Sequence, residues 1–202
     1  MTRFSRADLI WWTGLTARRI DDALHGLGDA VITGSVTNLG DSLLMTPRAL
    51  DEMTAIETDG AAVNLLPMLD PYTMGYKDRS RLLDPVFNET VVDRGGNVTS
   101  VVLVDGRVVG VRDLAEDPIN AVRVLLFDPD HRDRQRILER AAETAAFWFD
   151  GPVQVEEYSS MVPLRQRSGV MRRPLDDAQP RTAPEPARRV VAHRIPTENA
   201  RT

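Results

Sequence analysis

The chain has 202 residues, 42% of them hydrophobic and 27% charged, which suits one large or two small folded units with ordinary cores. It has no cysteine, so a disulfide framework and a thiolate metal site are excluded. The net charge of −5 is unevenly spread: residues 159–202 hold nine arginines against four acidic residues, and residues 1–158 are acidic. An acidic body is a poor non-specific DNA binder, because such binding relies on neutralising phosphates, and a basic tail would partly compensate. No apolar run approaches the roughly 20 residues of a membrane span, and the N-terminus is too short and too charged for a secretory leader. A soluble, cytoplasmic protein is expected.

In chain order, "SRADLIWWTG" predicts a helix with Ser5 as N-cap, Asp8 at the third helical position and Gly14 as the stop. "TARRIDDALHGLG" predicts a second helix capped by Thr16, with Ala17, Ile20, Leu24 and Leu27 at the spacing of one buried stripe. "AVITGSVTNLGDSLLMT" reads as a β-hairpin, and Pro47 opens a third short helix. Two helices, a hairpin and a helix make a winged helix-turn-helix outline, placed at residues 1–58.

Residues 59–158 predict a second unit. "VNLLPML" reads as a strand, and "VVLVDGRVVGVRDL" as a hairpin around Asp105-Gly106, the dipeptide a type I′ turn prefers. "NAVRVLLF" is another strand. A helix follows with Asp128 as N-cap, Pro129 at its first position and Gly151 as its end, and "PVQVEEY" closes with an alternating strand. Several strands and one late helix predict a small β-barrel-like domain with a packed helix, so the fold class is α+β. From Ser159 the sequence is rich in Pro and Arg and poor in apolar residues, which predicts a disordered basic tail over residues 159–202.

The candidate contacts fall in two places. The outward face of the second helix carries Arg18, Asp22 and His25, flanked by Arg19 and Asp21. Arginines and histidine there suit a groove or phosphates, whereas two aspartates repel them, so DNA reading and a scaffold role both stay open. The stretch "NLLPMLDPYTMGYKDRS" joins the two units. Asp70 before Pro71 is an N-cap, Tyr72 and Tyr76 share one side of a helical turn, and Lys77, Arg79 and Arg81 follow. This is either a phosphate-contacting corner with Tyr76 free to stack on a base, or a capped corner with surface charges. Asp70, Asp78 and Asp84 each sit in a capping or turn context, and His25, His131 and His193 lie on unrelated segments, so neither a metal site nor any cofactor is expected. Phosphate-loop, dinucleotide and nucleophile-elbow motifs do not occur.

The order "LLPMLDPYTMGYKDRSRLLDP", then "VVLVDGRVVGVRDL", then an alanine-rich helix before "GPVQVEEY" resembles the C-terminal part of the AlkZ-like family of bacterial winged-helix DNA glycosylases, over roughly residues 4–157. The resemblance implies tandem winged helices followed by a β-barrel, double-stranded DNA as partner, and metal-free cleavage of the glycosidic bond of alkylated or crosslinked bases. The family's catalytic signature is a Gln-x-Gln or Gln-x-Asp pair in an N-terminal region. Gln135, Gln154, Gln166 and Gln179 form no such pair, so the chain is expected to start after that region and to carry no catalytic residue. The expectation is a DNA-binding protein using Arg18, Arg19, His25, Tyr76, Lys77, Arg79 and Arg81, with a possible protein partner supplying the missing region. The alternatives are a glycosylase active alone or with that partner, and an interaction module that does not bind DNA.

Overall fold

The computed structural model describes residues 4–36, 40–55, 61–116, 119–149, 153–167, 174–176 and 178–181. It is a mixed α+β structure with six α-helices and two sheets among those residues.

The N-terminal part begins with α1 (Arg6–Thr13), entered through a complete capping box. The Ser5 hydroxyl accepts from the Asp8 amide, and the Asp8 carboxylate accepts from the Ser5 amide. Gly14 ends the helix at φ 66, in the left-handed region that glycine adopts without steric cost. Helix α2 (Ala17–Leu27) is capped by Thr16. Of its expected buried stripe only Ile20 is fully buried; Leu24 is half-buried, and Ala17 and Leu27 are exposed. Strands β1 (Ile32–Val36) and β2 (Gly40–Met45) pair antiparallel, and Phe4 extends this small sheet by a bridge to Leu44. Helix α3 (Pro47–Thr54) starts with its proline at the first turn and Thr46 as cap, as its sequence dictates.

The second part is a six-stranded sheet in the order β3-β4-β5-β6-β7-β8. These are β3 (Val63–Leu66), β4 (Val101–Val104), β5 (Arg107–Ala115), β6 (Ala121–Leu126), β7 (Gln154–Ser160) and β8 (Gln179–Pro180). Asp105 and Gly106 both have positive φ, 50 and 78, as a type I′ hairpin between β4 and β5 requires. Strands β6 and β7 are parallel and joined through α6 (Arg134–Trp148). Gly110 sits beside the register shift of the β4–β5 pair, and a Cβ there would lie 2.3 Å from the Leu125 carbonyl oxygen, so the close strand approach needs glycine.

Each face of the sheet buries its own apolar set. Helix α6 lays Ile137, Ala141 and Ala145 on Val102, Val122 and Val124. The opposite face packs Val101, Leu103, Val111 and Leu125 against Leu82, Leu83, Val91, Val98 and Leu175. Helices α4 (Pro71–Met74) and α5 (Asn88–Val91) lie in the connection between β3 and β4.

Three expectations are corrected. The sheet does not close into a barrel: among the described residues β3 and β8 each pair with one neighbour, and layers on both faces do the covering that closure would have done. Helix α6 starts at Arg134, not after Asp128; the Asp128 carboxylate instead accepts from the Asp130 amide in a turn that precedes the helix. Pro129 is compatible with either, so the sequence did not distinguish them. The tail expected from Ser159 is partly ordered structure. Ser159 and Ser160 complete β7, Leu164 and Leu175 are buried, and Gln179–Pro180 adds the last strand. A low apolar average concealed two buried leucines, Leu175 in the cluster on the sheet and Leu164 in a 3₁₀ turn beside α5, whose burial offsets the ordering entropy. Arg172, Arg173 and the arginines from Arg188 onward lie outside the described residues.

Candidate functional site

The joint between the two parts forms around "DPYTMGYKDRSR". Asp70 caps α4 by accepting the Tyr72 amide at 2.8 Å, and the Gly75 amide closes the turn on the Pro71 carbonyl. This short turn holds the Tyr76 ring between neighbours. Phe4 lies 6.0 Å away, Tyr72 packs edge-on at 6.0 Å, and the Arg81 guanidinium sits 3.6 Å above the ring centroid.

The centre of the joint is Asp8, only 2% exposed. Besides its capping bonds it accepts the Lys77 amide at 2.8 Å and the Arg81 guanidinium at 2.8 Å. One carboxylate thus caps α1 and fastens that helix to the corner between β3 and β4. Trp11 adds a bond from its indole N–H to the Met74 carbonyl at 3.4 Å. A carboxylate this buried is tolerated because its oxygens are matched by charged or amide donors.

The seven residues expected as DNA contacts therefore divide. Arg18, Arg19 and His25 are exposed on α2, and Lys77 is exposed beside the joint. Tyr76 is half-buried in the aromatic stack. Arg79 and Arg81 are engaged by the protein itself. Arg79 donates to the carbonyls of Thr73 and Gly96, each at 3.1 Å, and desolvation lowers the pKa of its guanidinium; Arg81 is held by Asp8 and Tyr76. Of the two α2 aspartates that weighed against a DNA reading, the flanking Asp21 pairs with Arg6 at 2.5 Å, whereas Asp22 on the outward face is exposed.

A second charged cluster lies on the sheet. Arg123 on β6 makes a two-pronged pair with its cross-strand partner Asp113 on β5, at 2.6 and 2.8 Å, and donates to Asp176 at 2.8 Å. Asp113 also accepts the Leu175 amide. Burial pushes the Asp113 carboxyl up, against the hydrogen bonds from Arg123 and Leu175; burial disfavours the Arg123 charge too, but the carboxylates around it outweigh that and hold its guanidinium firmly protonated. Sequence reasoning missed this cluster. The available signal was an Asp and an Arg interrupting two adjacent valine-rich strands. On the far side, a cleft of about 410 Å³ lies between β3 and α6, lined by Ala62, Val63, Arg136, Glu139, Arg140 and Glu143, with Arg140 and Glu143 paired at 2.8 Å. Among the described residues no group of acidic or histidine side chains could hold a metal ion, and no helix is long and apolar enough to cross a membrane.

The four glutamines lie apart. Gln135 is on α6 and donates to Glu139, Gln154 opens β7, Gln166 ends a 3₁₀ turn, and Gln179 is in β8.

Comparison with known proteins agrees with the motif order. No curated protein matches the chain. Among solved structures it is similar to Streptomyces sahachiroi DNA glycosylase AlkZ, with a TM-score of 0.60 and 20% identity over 76% of this chain and 42% of that one. The chain thus spans under half the length of that structure, and the likeness is one of fold. The family model "DNA glycosylase AlkZ-like" matches residues 4–148, which include the joint, the Asp105-Gly106 hairpin and α6. The chain belongs to the AlkZ-like DNA glycosylase family.

Proposed function

We propose that this chain is a cytoplasmic double-stranded-DNA-binding member of the family, providing a surface that cradles the duplex without itself carrying the hydrolytic centre. The observation that carries this reading is the family match over residues 4–148. In this reading residues 1–58 are a winged helix, with α2 presented to DNA, and residues 59–158 with the described residues of 159–181 are a second unit docked on it. Arg18, Arg19, His25 and Lys77 are the phosphate and groove contacts, whereas Arg79, Arg81 and Tyr76 hold the corner in shape. The four scattered glutamines support the absence of a water-positioning pair.

The test is binding to a short undamaged duplex across a salt series. Arg18, Arg19 and Lys77 together contribute about −2.7 to the slope of log affinity on log salt, at about −0.9 per neutralised phosphate, which is about a 40-fold share of the fall in affinity between about 50 and 200 mM salt. Replacing the three with alanine makes the slope shallower by that amount. No binding at about 50 mM salt overturns the reading, and abasic sites appearing in alkylated DNA treated with the chain alone would overturn its non-catalytic part.

One observation favours a partner chain: Trp11 and Trp12 are 52% and 58% exposed, side by side on α1. Adjacent exposed tryptophans are costly to leave in water and are common at protein contacts. A partner carrying the glutamine pair would restore glycosylase activity in this reading. A blue shift of tryptophan emission on mixing the two checks it, and unchanged emission in a confirmed complex removes these residues from the contact.

A further inference from the structure

Leu69 is placed against its own preferences. It has φ 59, in the left-handed region that a leucine side chain disfavours and that turns usually fill with glycine or asparagine. Its conformation is held by a hydrogen bond from its amide to the Val98 carbonyl at 3.0 Å and by the Asp70 cap that follows. Burial does not compensate the side chain. Leu69 is 50% exposed and its neighbour Met68 is 40% exposed, on the turn between β3 and α4. A strained backbone that displays apolar side chains to solvent points to a use for the side chains.

The surroundings specify the use. Val98 follows the turn Asp93–Asn97, so that turn stands beside Leu69. Arg94 is exposed on it and donates to the Arg165 carbonyl at 2.9 Å, which brings a second exposed arginine alongside. The Asp93 and Asp70 carboxylates are turned to the protein. Asp93 accepts from the Asn97 amide and side chain, and Asp70 accepts from the Tyr72 amide. Glu89 is exposed and 3.9 Å from Arg165, a loose surface pair that a phosphate can replace, and among the described residues no carboxylate pairs with Arg94. The result is an exposed apolar point flanked by cations, the pairing used by proteins that push a Leu or Met between base pairs while gripping the adjacent phosphates.

We propose that Leu69 is a wedge that enters a base step of duplex DNA, with Arg94 and Arg165 on the flanking phosphates. The proposal rests on the DNA-binding reading above and adds a site that neither α2 nor Lys77 supplies. Leu69→Gly and Leu69→Asn both suit a left-handed backbone, so both variants keep the fold and melt at or above the temperature of the unmodified protein. Duplexes carrying 2-aminopurine at successive central positions report unstacking by a rise in fluorescence. The unmodified full chain brightens the probe on binding; both variants lose most of that rise and bind about tenfold more weakly. Arg94→Ala with Arg165→Ala makes the salt slope shallower by about two, because each arginine neutralises one phosphate, while Leu69→Gly leaves the slope unchanged. Binding by the unmodified protein with no brightening, or equal brightening in the Leu69 variants, overturns the wedge and leaves the DNA-binding reading intact. Absence of any binding at low salt overturns both.

Discussion

Asp8→Ala is expected to destabilise the folded protein by about 3 kcal/mol, the scale for removing one partner of a buried ion pair. The effect is large because three functions end together. Helix α1 loses its cap, the Lys77 amide loses its acceptor, and Arg81 is left 15% exposed without its counter-charge. Among the described residues Arg81 Nε has no hydrogen-bond partner even in the intact protein. Urea unfolding measures the loss. The informative comparison is the double variant with Arg81→Met. It removes the stranded charge, keeps an apolar stem over Tyr76, and recovers part of the stability, whereas an additive loss would show that the pair does not hold the joint. A change under about 0.5 kcal/mol for Asp8→Ala, the range of ordinary surface substitutions, would contradict the joint altogether.

Arg123→Met is the second large effect, expected at about 3–5 kcal/mol. It leaves the Asp113 carboxylate, 5% exposed, with one backbone amide as its remaining donor, and it releases Asp176. The segment that carries Leu175 and β8 is held over the sheet by those bonds. Tryptic cleavage at Arg167 and Arg181 should therefore accelerate together with the loss of stability. The pH dependence has a definite sign. Burial raises the folded-state pKa of Asp113 above the unfolded carboxyl value near 3.9. A group raised in this way contributes stability that is fully present below the unfolded value and is lost as pH rises through the folded one. Removing Arg123 raises it further, so the deficit of Arg123→Met is largest at neutral pH and narrows as pH falls toward about 4. A deficit that does not change with pH would place the loss in packing and not in the stranded carboxylate. Asp176→Asn, at a carboxylate that is 44% exposed, should cost about 1 kcal/mol or less.

Local chemistry made much of the molecule legible. Ser5 with Asp8, Thr16, Thr46 with Pro47, and Asp70 with Pro71 each cap a helix within a few residues of themselves, so their helices start where those residues stand in the sequence. Asp105-Gly106 specifies its hairpin for the same reason: the constraint is a pair of backbone dihedrals. The quoted motifs in order were enough to indicate the family, because their spacing reflects the connection from joint to hairpin to helix. Where the sequence was ambiguous, two local solutions were equally good, as at Asp128-Pro129, or the decisive partner was far away, as for Leu175 on the sheet.

What the chain alone determined was therefore most of the elements, the caps and turns fixed by neighbouring residues, and the kinship they carry. The tertiary structure alone decided what the charges do. Arg79, Arg81 and Lys77 are close neighbours in the sequence and look alike there, yet two of them are held by acceptors inside the protein and one faces water. Asp8 and Arg81 are 73 residues apart, and Arg123 and Asp176 are 53 apart. The role of an ionic group depends on its solvent exposure and on the counter-charges within a few ångströms, and both are set by which segments the fold brings together.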